Sequence, residues 1–555
     1  MKNQVLQDGA IRSQNFYRSD LLLQHLVERY WNAARKAYFM PLYVGLGEKA
    51  ATIMDALSLE ADKESPSLVK RNHYGETLND IKFHPAYGAL LDIAAGSEMF
   101  YPKWNADVRA SLGEGNHASG FVVGQLFCMS EMGQYCPLAM TDGVARLIDH
   151  YGDAADKAYW LPKLSARSGS DLATGAMFLT EKSGGSDVGA NLVTAEAVGE
   201  GYYHLNGEKW FCSNVNADVI FVLARTDAAI AGTRGLSIFL VSRYLEDGSR
   251  NPMEVVRLKD KLGVRSMASA ECLLQNTVGK LYGKEGEGMK IMLDMIALMR
   301  IYNAVTALAG ERRALVEAYQ HLSFRNTFGK NALEHALIRS KLASLCSTYT
   351  SDFYLTWHSI FTMDRAEAGD MAAAARLRLL TPMVKYWTGK NTVYVVRECM
   401  ELVGGLGYIE DGILPKLFRD VLVLPIWEGA GNIMLLDMWR AVQKSDSLQA
   451  LLSEMELFYT SDTNEYATTI AALEQWKAHY VLIASLADRE QQEANLLTLF
   501  ESLIALYQDF LLRLYHDSES EAWIAGAMAW RAMADAPLQT VPSVETIRAM
   551  MGWVW

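Results

Sequence analysis

Two short stretches decide how this sequence is interpreted: TEKSGGSD at residues 180–187 and IWEGAGN at residues 426–432. In the first, Gly184 and Gly185 can adopt positive φ and let backbone amides face an anion closely. Ser186 adds a hydroxyl donor, so the loop suits a pyrophosphate group. An ordinary Gly-Gly-Ser turn is the alternative interpretation, and it is the better one for this stretch in isolation.

The second stretch places one carboxylate in an apolar setting. Glu428 follows the apolar run LPIW at residues 424–427 and precedes Gly429. Apolar surroundings raise the pKa of a carboxyl group, and a carboxylate with a raised pKa can act as a base. The alternative interpretation is that Glu428 caps the helix predicted from Asn432, since acidic residues are common near helix starts.

The composition is that of a globular protein. The chain has 555 residues, of which 50% are hydrophobic and 21% charged, with a formal net charge of −13. Its six cysteines form no CxxC pair and its histidines no HExxH motif, so we expect reduced core thiols and no metal site. The N-terminus lacks a signal pattern, and no apolar run reaches the ~18 residues of a membrane helix. A cytoplasmic protein without a membrane segment is therefore expected.

Changes of pattern along the chain predict four domains. Residues 1–175 show helical spacing of apolar side chains, residues 176–284 carry short β-like runs, and residues 285–443 return to helical spacing. The β-domain is expected to be a barrel or packed sheets, with a hairpin turn at Asn206-Gly207. Residues 444–555 form a further helical segment.

This last segment is strongly acidic. It carries six Lys/Arg against sixteen Asp/Glu, a local balance of −10. DNA binding needs clustered basic residues, so this acidic composition argues against DNA as a partner. Val544, Ile547, Met551 and Trp555 fall at spacings of three and four, which predicts an apolar helix face. One interpretation of the segment is a helical cap packed on the core of the protein, and we expect its apolar face to be buried inside an oligomer.

Two further stretches could contact a large cofactor. In KWFCSN, residues 209–214, the period of a strand puts Phe211 and Ser213 on one face, where they could stack on and hydrogen-bond a flavin ring. A half-buried strand is an equally good interpretation. In RNTFGK, residues 325–330, Arg325 and Phe328 could clamp a phosphate and an adenine, although a basic helix C-terminus is the simpler interpretation.

Taken in order, these motifs resemble the acyl-CoA dehydrogenase family over about residues 90–440. The ordered set is LTEKSGGSD at 179–187, NGEK at 206–209, KLGVR at 261–265, GKEGEG at 283–288, RNTFGK at 325–330, GGLGY at 404–408 and EGAGN at 428–432. The AidB-like branch is indicated by CPLAMT at 136–141, by TEK in place of the commoner TEP, by IWEGAGN and by the extra C-terminal segment.

The resemblance implies a multidomain α+β fold. It consists of an N-terminal helical domain, a middle β-barrel, a C-terminal four-helix bundle and here an extra C-terminal helical segment. It further implies FAD bound at a subunit interface of a homo-oligomer, a dimer of dimers.

The resemblance also assigns residues. Glu428 would be the α-proton base. Thr180 would contact the flavin pyrimidine edge, Ser186 the pyrophosphate and Phe211 the isoalloxazine, with Ser213 near flavin N5. The cofactor-binding set it implies is Met177, Leu179, Thr180, Gly185, Ser186, Phe211, Ser213, Arg325, Phe328, Gly404, Gly405, Ile426, Trp427, Gly429 and Asn432. Ala336 and Glu401 replace residues that are Gln in many members.

The function implied is FAD-dependent α,β-dehydrogenation of an acyl-CoA thioester with a medium to long or branched chain, within fatty acid metabolism. Electrons would pass to an electron-transfer flavoprotein. The alternative is an AidB-like flavoprotein of the alkylation stress response, with weak dehydrogenase activity and a nucleic-acid or other binding role.

Overall fold

The computed structural model describes residues 15–113, 115–533 and 540–555. They form two compact units. The helical unit takes the described residues of Met1–Ala51, Glu114–Met129 and Asn303–Trp555, and the sheet unit takes those of Thr52–Gly113 and Ser130–Tyr302.

Helices make up most of the described chain. In chain order they are α1 (Phe16–Ser19), α2 (Leu21–Tyr30), α3 (Ala33–Thr52), α4 (Met54–Lys63), α5 (Pro85–Gly96), α6 (Tyr101–Trp104), α7 (Ala106–Leu112), α8 (Asn116–Cys128), α9 (Tyr135–Tyr151), α10 (Ala154–Leu164), α11 (Gly288–Phe324), α12 (Ala336–Glu367), α13 (Met371–Val403), α14 (Ile413–Val421), α15 (Gly431–Lys444), α16 (Ser447–Tyr459), α17 (Ala467–Ala484), α18 (Arg489–Ala494), α19 (Leu496–Tyr515), α20 (Glu521–Met533) and α21 (Val544–Met551).

The strands lie mainly in the sheet unit. They are β1 (Ser67–Arg71), β2 (Thr77–Lys82), β3 (Gly175–Phe178), β4 (Thr194–Gly199), β5 (Tyr202–Ser213), β6 (Val219–Arg225), β7 (Leu236–Ser242), β8 (Met253–Leu258), β9 (Ser269–Tyr282), β10 (Asn326–Thr327) and β11 (Lys330–Asn331).

Strands β3 to β9 form one seven-stranded sheet that closes on itself. The order is β3-β6-β4-β5-β9-β7, with β8 on β9 and an additional β6–β7 pairing that completes a ring. Strands β6 and β7 are apolar and almost wholly buried along their length, as expected where both faces of a strand are covered. The predicted β-barrel between helical domains is therefore confirmed.

Strands β1 and β2 form a separate antiparallel hairpin in a region that the sequence predicted to be helical. The turn is built by Asn72, whose side-chain oxygen accepts from the backbone N–H groups of Tyr74 and Glu76. Gly75 within it has a φ of 87°. Asn and Gly at these positions are turn residues, and they determine the local structure here.

The predicted hairpin turn at Asn206-Gly207 was wrong. Strand β5 runs through both residues without a break, and the turn between β4 and β5 lies at Glu200-Gly201, with φ values of 52° and 80°. Gly207 has a φ of 135°, beside a register shift in the β5–β9 ladder. A Cβ at Gly207 would lie 3.1 Å from the Cα of Val193. The Asn-Gly pair thus marks a bulge and a close backbone approach.

Helix α11 begins at Gly288, as the change to helical spacing predicted. Met292, Met295, Met299 and Tyr302, at spacings of three and four, are all buried on it and form a core face. Among the described residues, α11 is the one helix long and apolar enough to cross a membrane, and 78% of its apolar window is buried inside the protein. Core helices pass the same test. The finding corrects the expectation that no segment reaches that composition.

The C-terminal segment packs on the rest of its own unit. Ile547, Met551 and Trp553 are buried, and the ring of Trp555 stacks on Tyr319 of α11 at 5.1 Å. The apolar face predicted for α21 is therefore real, but it is covered within the same chain. The expectation that an oligomer buries it was wrong, because spacing reveals an apolar face without showing which surface covers it.

Candidate functional site

The loop at residues 180–187 follows β3 in the sheet unit. Gly185 and Ser186 are exposed and Thr180 is half-buried. Gly184 has a φ of 114°, and no atom lies within 4 Å of the position that its Cβ would take. A Cβ on Gly185 would lie 2.8 Å from the Thr180 Oγ1, so only glycine allows this approach. The loop leaves an open cradle beside the Thr180 hydroxyl.

Backbone hydrogen bonds fasten this loop to strand β5. The Trp210 N–H donates to the Thr180 carbonyl at 2.9 Å. The Leu179 carbonyl accepts from the Asn191 Nδ2 at 2.8 Å and from the Lys209 Nζ at 3.2 Å. Met177 is half-buried at the end of β3. The residues expected to meet the flavin edge are thus held against the strand expected to meet its face.

The buried ion pair that makes this connection was not predicted from the sequence. The Lys209 Nζ lies 2.8 Å from the Glu181 Oε1, and both side chains are buried. Burial lowers the pKa of Lys209, while the Glu181 carboxylate acts in the opposite direction. Both residues stand in the quoted motifs. However, only the fold shows that the two charges meet.

Phe211 and Ser213 lie on β5 as the strand period predicted. The Phe211 ring is 58% exposed, Cys212 is buried, and the Ser213 Oγ lies 3.0 Å from the Ser269 Oγ. The β5–β9 register shifts between Lys209 and Cys212. This irregularity lets Lys209 point inward although it has the same parity as the exposed Phe211. An exposed aromatic ring at this point is available to stack on a cofactor.

In the helical unit, the structure brings Arg325 and the glycine-rich break together. The Arg325 Nη1 donates to the Val403 carbonyl at 3.1 Å, and Gly404 follows at the end of α13. Phe328 is 98% exposed at the tip of the β10–β11 hairpin, where its φ is 51°. Gly405 is exposed, with no atom within 4 Å of the position for a Cβ. These residues form an accessible group on the surface of this unit.

Glu428 lies in a turn that precedes α15. Its φ is 56°, in the left-handed region that non-glycine residues seldom occupy. Helix α15 begins at Gly431 after Ala430, and no side chain caps it. The alternative interpretation of Glu428 as a helix cap is therefore wrong. Strained backbone of this kind is concentrated at active sites, where the surrounding structure holds it in place.

The residues around Glu428 include exposed side chains and a buried N–H group that has no hydrogen-bond partner among the described residues. Ile426 and Asn432 are exposed, and the Gly429 carbonyl accepts from the buried Lys385 ammonium. In the described part of the chain, the indole nitrogen of Trp427 is buried without a hydrogen-bond partner.

The residues of each unit, taken separately, have the chemistry that FAD requires. In the sheet unit, exposed glycine amides and the Ser186 hydroxyl suit a pyrophosphate, and the exposed Phe211 ring suits an isoalloxazine face. In the helical unit, the start of α15 suits an anionic group, and the buried Trp427 N–H is a donor without an acceptor among the described residues. Among the described residues, no group of three or more His, Cys, Asp or Glu side chains could hold a metal ion.

Three protein-family models match the chain. The adaptive response protein AidB N-terminal domain matches residues 4–168. The acyl-CoA dehydrogenase middle domain matches residues 176–277, and the acyl-CoA dehydrogenase C-terminal domain matches residues 286–443. Residues beyond 443 lie outside all three matches.

Known proteins resemble the chain over most of its length. The putative acyl-CoA dehydrogenase AidB of Escherichia coli K12 is 35% identical, covering 80% of this chain and 81% of the relative. Acyl-CoA dehydrogenase family member 11 of Caenorhabditis elegans is 31% identical, covering 78% and 72%. The crystal structure of C. elegans ACDH-11 in complex with C11-CoA superposes with a TM-score of 0.85 at 27% identity, covering 97% of this chain and 95% of that one. The chain therefore belongs to the acyl-CoA dehydrogenase family, in its AidB-like branch, and FAD is the cofactor of that family.

Proposed function

We propose that this protein is an FAD-dependent acyl-CoA dehydrogenase that introduces a double bond between the α and β carbons of an acyl-CoA thioester. The observation that carries the proposal is Glu428. Its carboxylate is held on a strained backbone, next to exposed apolar surface, and Glu428 does not occupy the N-cap position of α15, which is Ala430. A non-glycine residue kept in that conformation is a candidate for catalysis.

Glu428 is the base in this proposal. The α-C–H of a thioester is only weakly acidic, so the base must be positioned while the developing negative charge on the carbonyl oxygen receives hydrogen bonds. We assign one of those hydrogen bonds to the backbone N–H of Glu428. The Glu428 carboxylate takes the α-proton and becomes neutral. Bound FAD supplies the acceptor for the hydride that leaves the β-carbon.

We further propose a medium to long or branched acyl chain as substrate. Support comes from ACDH-11, which was solved in complex with C11-CoA and superposes over nearly the whole chain. An electron-transfer flavoprotein is the proposed electron acceptor. A homo-oligomer is proposed because Phe328 stands almost fully exposed on a two-residue hairpin tip, where a second copy of the chain would cover it.

A role in nucleic-acid binding has less support. Residues 444–555 carry a balance of −10, and a DNA surface would repel such a segment. Several of its charged residues are also engaged within the helical unit. Arg531, for example, donates to the Ala505 carbonyl at 2.9 Å. We therefore assign this segment a structural role within the dehydrogenase.

Substitution of Glu428 by Gln tests the proposal. Because Gln cannot accept the α-proton, we expect turnover of a reactive acyl-CoA to fall by about a thousandfold or more, with FAD still bound. Steady-state rates and the visible flavin spectrum measure the two effects. Glu474→Gln, at an exposed glutamate of α17, is the control and should leave both unchanged. Undiminished turnover in Glu428→Gln would remove Glu428 from the mechanism.

A further inference from the structure

Glu181 and Lys209 form a buried ion pair beside the loop at residues 180–187 in the sheet unit. Lys209 has no exposed surface and Glu181 is 5% exposed. Charges are seldom buried unless they are paired and hydrogen-bonded, and breaking such a pair leaves a charge without compensation. A pair buried at this location is therefore expected to have a specific role.

The hydrogen bonds of the pair connect three segments. The Glu181 carboxylate accepts from the Leu192 N–H at 2.6 Å and from the Val193 N–H at 3.2 Å, while the Lys209 ammonium binds it at 2.8 Å. The same ammonium donates to the Leu179 carbonyl at 3.2 Å. Glu181 thereby ties the cradle loop to the chain entering β4, and Lys209 ties it to β5.

Thr180 stands between the two anchored positions. Its neighbours on either side, Leu179 and Glu181, both bind Lys209, and its own carbonyl accepts from the Trp210 N–H. The loop beyond Thr180 is largely exposed, and it contains Gly184 and Gly185, whose backbones can adopt many conformations. The ion pair is thus the rigid support next to a flexible, exposed loop.

We propose that the Glu181–Lys209 pair positions the cradle loop for FAD and sets the local charge at the flavin edge that Thr180 contacts. This inference rests on the FAD-dependent function proposed above. Positioning side chains act by removing the ordering that binding would otherwise require, so their loss weakens cofactor affinity. Neither residue touches the reacting carbon atoms in this account.

The two charges make opposite electrostatic predictions. Lys209→Met leaves the Glu181 carboxylate near Leu179 and Thr180, and a negative charge disfavours adding electrons to a nearby cofactor. Glu181→Gln leaves Lys209 without its counter-ion, and while the ammonium keeps its proton the positive charge favours them. Because burial lowers the pKa of Lys209, the potentials are compared at the lowest pH at which the variants stay folded. A merely structural role would weaken binding in both variants without moving the flavin midpoint potential in opposite directions.

The test uses the full chain loaded with FAD. We expect Glu181→Gln and Lys209→Met each to raise the dissociation constant for FAD at least tenfold, as measured by flavin fluorescence. We also expect the midpoint potential to fall in Lys209→Met and to rise in Glu181→Gln. Glu254→Gln is the control, because Glu254 of β8 pairs with Lys70 of β1 at 3.1 Å in the same sheet unit, and neither residue belongs to the set assigned to the flavin. Its FAD affinity should stay within about twofold of the parent.

Cooperative thermal melts verify that each variant is folded. If Lys209→Met does not fold, Glu181→Gln decides alone, because its side chain keeps the shape and one acceptor oxygen of the original. Unchanged FAD affinity in a folded variant, or potentials that move in the same direction, would overturn the inference. An unmodified chain that binds no FAD would instead overturn the proposed function, so the two failures are distinguishable.

Discussion

At Glu428 the backbone has a φ of 56°, which costs a residue with a side chain on the order of 1–2 kcal/mol relative to glycine. This free-energy cost is explained if the turn must hold the Glu428 carboxylate in one fixed position. Stability and activity are then in conflict at this single residue.

Glu428→Gly separates the two. We expect the variant to lose turnover while its free energy of unfolding rises by about 1 kcal/mol, because glycine adopts this φ without strain. Chemical denaturation and steady-state kinetics are the measurements. A clear loss of stability in Glu428→Gly would show that the side-chain contacts of Glu428 outweigh the strain and that the conformation is no sign of function.

Individual residues were predicted unevenly from the sequence. The placement of Phe211 on a strand follows from the strand period, and that of Phe328 from its position just after a predicted helix, both of which are local signals, whereas their exposure is shown by the fold. Lys209 does not, because its partner Glu181 lies 28 positions away and the contact depends on strand placement. A long-range pair of opposite charges has no periodicity from which it could be recognised.

At the scale of elements, Gly207 shows how a strong local signal can be overridden. Asn-Gly favours a two-residue hairpin, yet Gly199, Glu200 and Gly201 supply the turn a few residues earlier, and all three have positive φ. Asn206 instead joins β5 to β9, since its side-chain oxygen accepts from the Asn276 N–H at 2.8 Å. Tertiary pairing decided between two competing turn sequences.

Gly207→Ala should destabilise the sheet unit by about 2 kcal/mol or more. The new methyl group meets the Val193 backbone, and the φ of 135° is unfavourable for alanine. Gly201→Ala is the matched control, because it also has positive φ but no atom lies within 4 Å. Thermal unfolding compares the two. An equal loss of stability in both variants would show that φ alone, and not close packing, requires glycine at position 207.

A buried carboxyl pair connects helices α11 and α12. Glu311 and Asp352 are fully buried, and Asp352 accepts from Asn391 at 2.8 Å and from Gln508 at 2.7 Å. Among the described residues, both carboxyl oxygens of Glu311 are buried without a hydrogen-bond partner. Burial, with the adjacent Asp352 carboxyl, raises the pKa of Glu311 well above its usual range. Glu311 therefore keeps its proton to a higher pH than an exposed glutamate does.

This pair makes stability depend on pH. Below the unfolded pKa, about 4.3, both states hold the proton and the pair has no effect. Above it, the unfolded chain releases a proton that the folded chain retains, so the free energy of unfolding falls as pH rises toward the folded pKa. Glu311→Gln keeps a donor to Asp352 and removes this titration.

We expect Glu311→Gln to be more stable than the parent at pH 8, by about 1 kcal/mol or more, and nearly equal at pH 4. Urea denaturation across this pH range measures the difference, with Glu474→Gln as an exposed control. A constant difference at all pH values would mean that the substitution acts through packing and that Glu311 does not carry the proton.

At the scale of the whole molecule, the motifs were sufficient to recognise the fold class, because most of them lie at the ends of elements or in the loops between them. The glycines at 404 and 405 end α13, and Gly288 begins α11. The boundaries 175, 284 and 443 stay predictions, since the compact units divide the chain differently and α11 contributes to both. The surface that packs on α21 was also not predicted, because the spacing of apolar residues shows an apolar face but not the surface that covers it.

The central claim is that acyl-CoA reduces the bound flavin. The most direct measurement is an anaerobic titration of the FAD-loaded protein with acyl-CoAs of increasing chain length, followed through flavin absorbance. We expect the absorbance to bleach with medium to long or branched chains, and to stay unchanged in Glu428→Gln. A fully loaded flavin that no acyl-CoA bleaches would contradict the proposed activity.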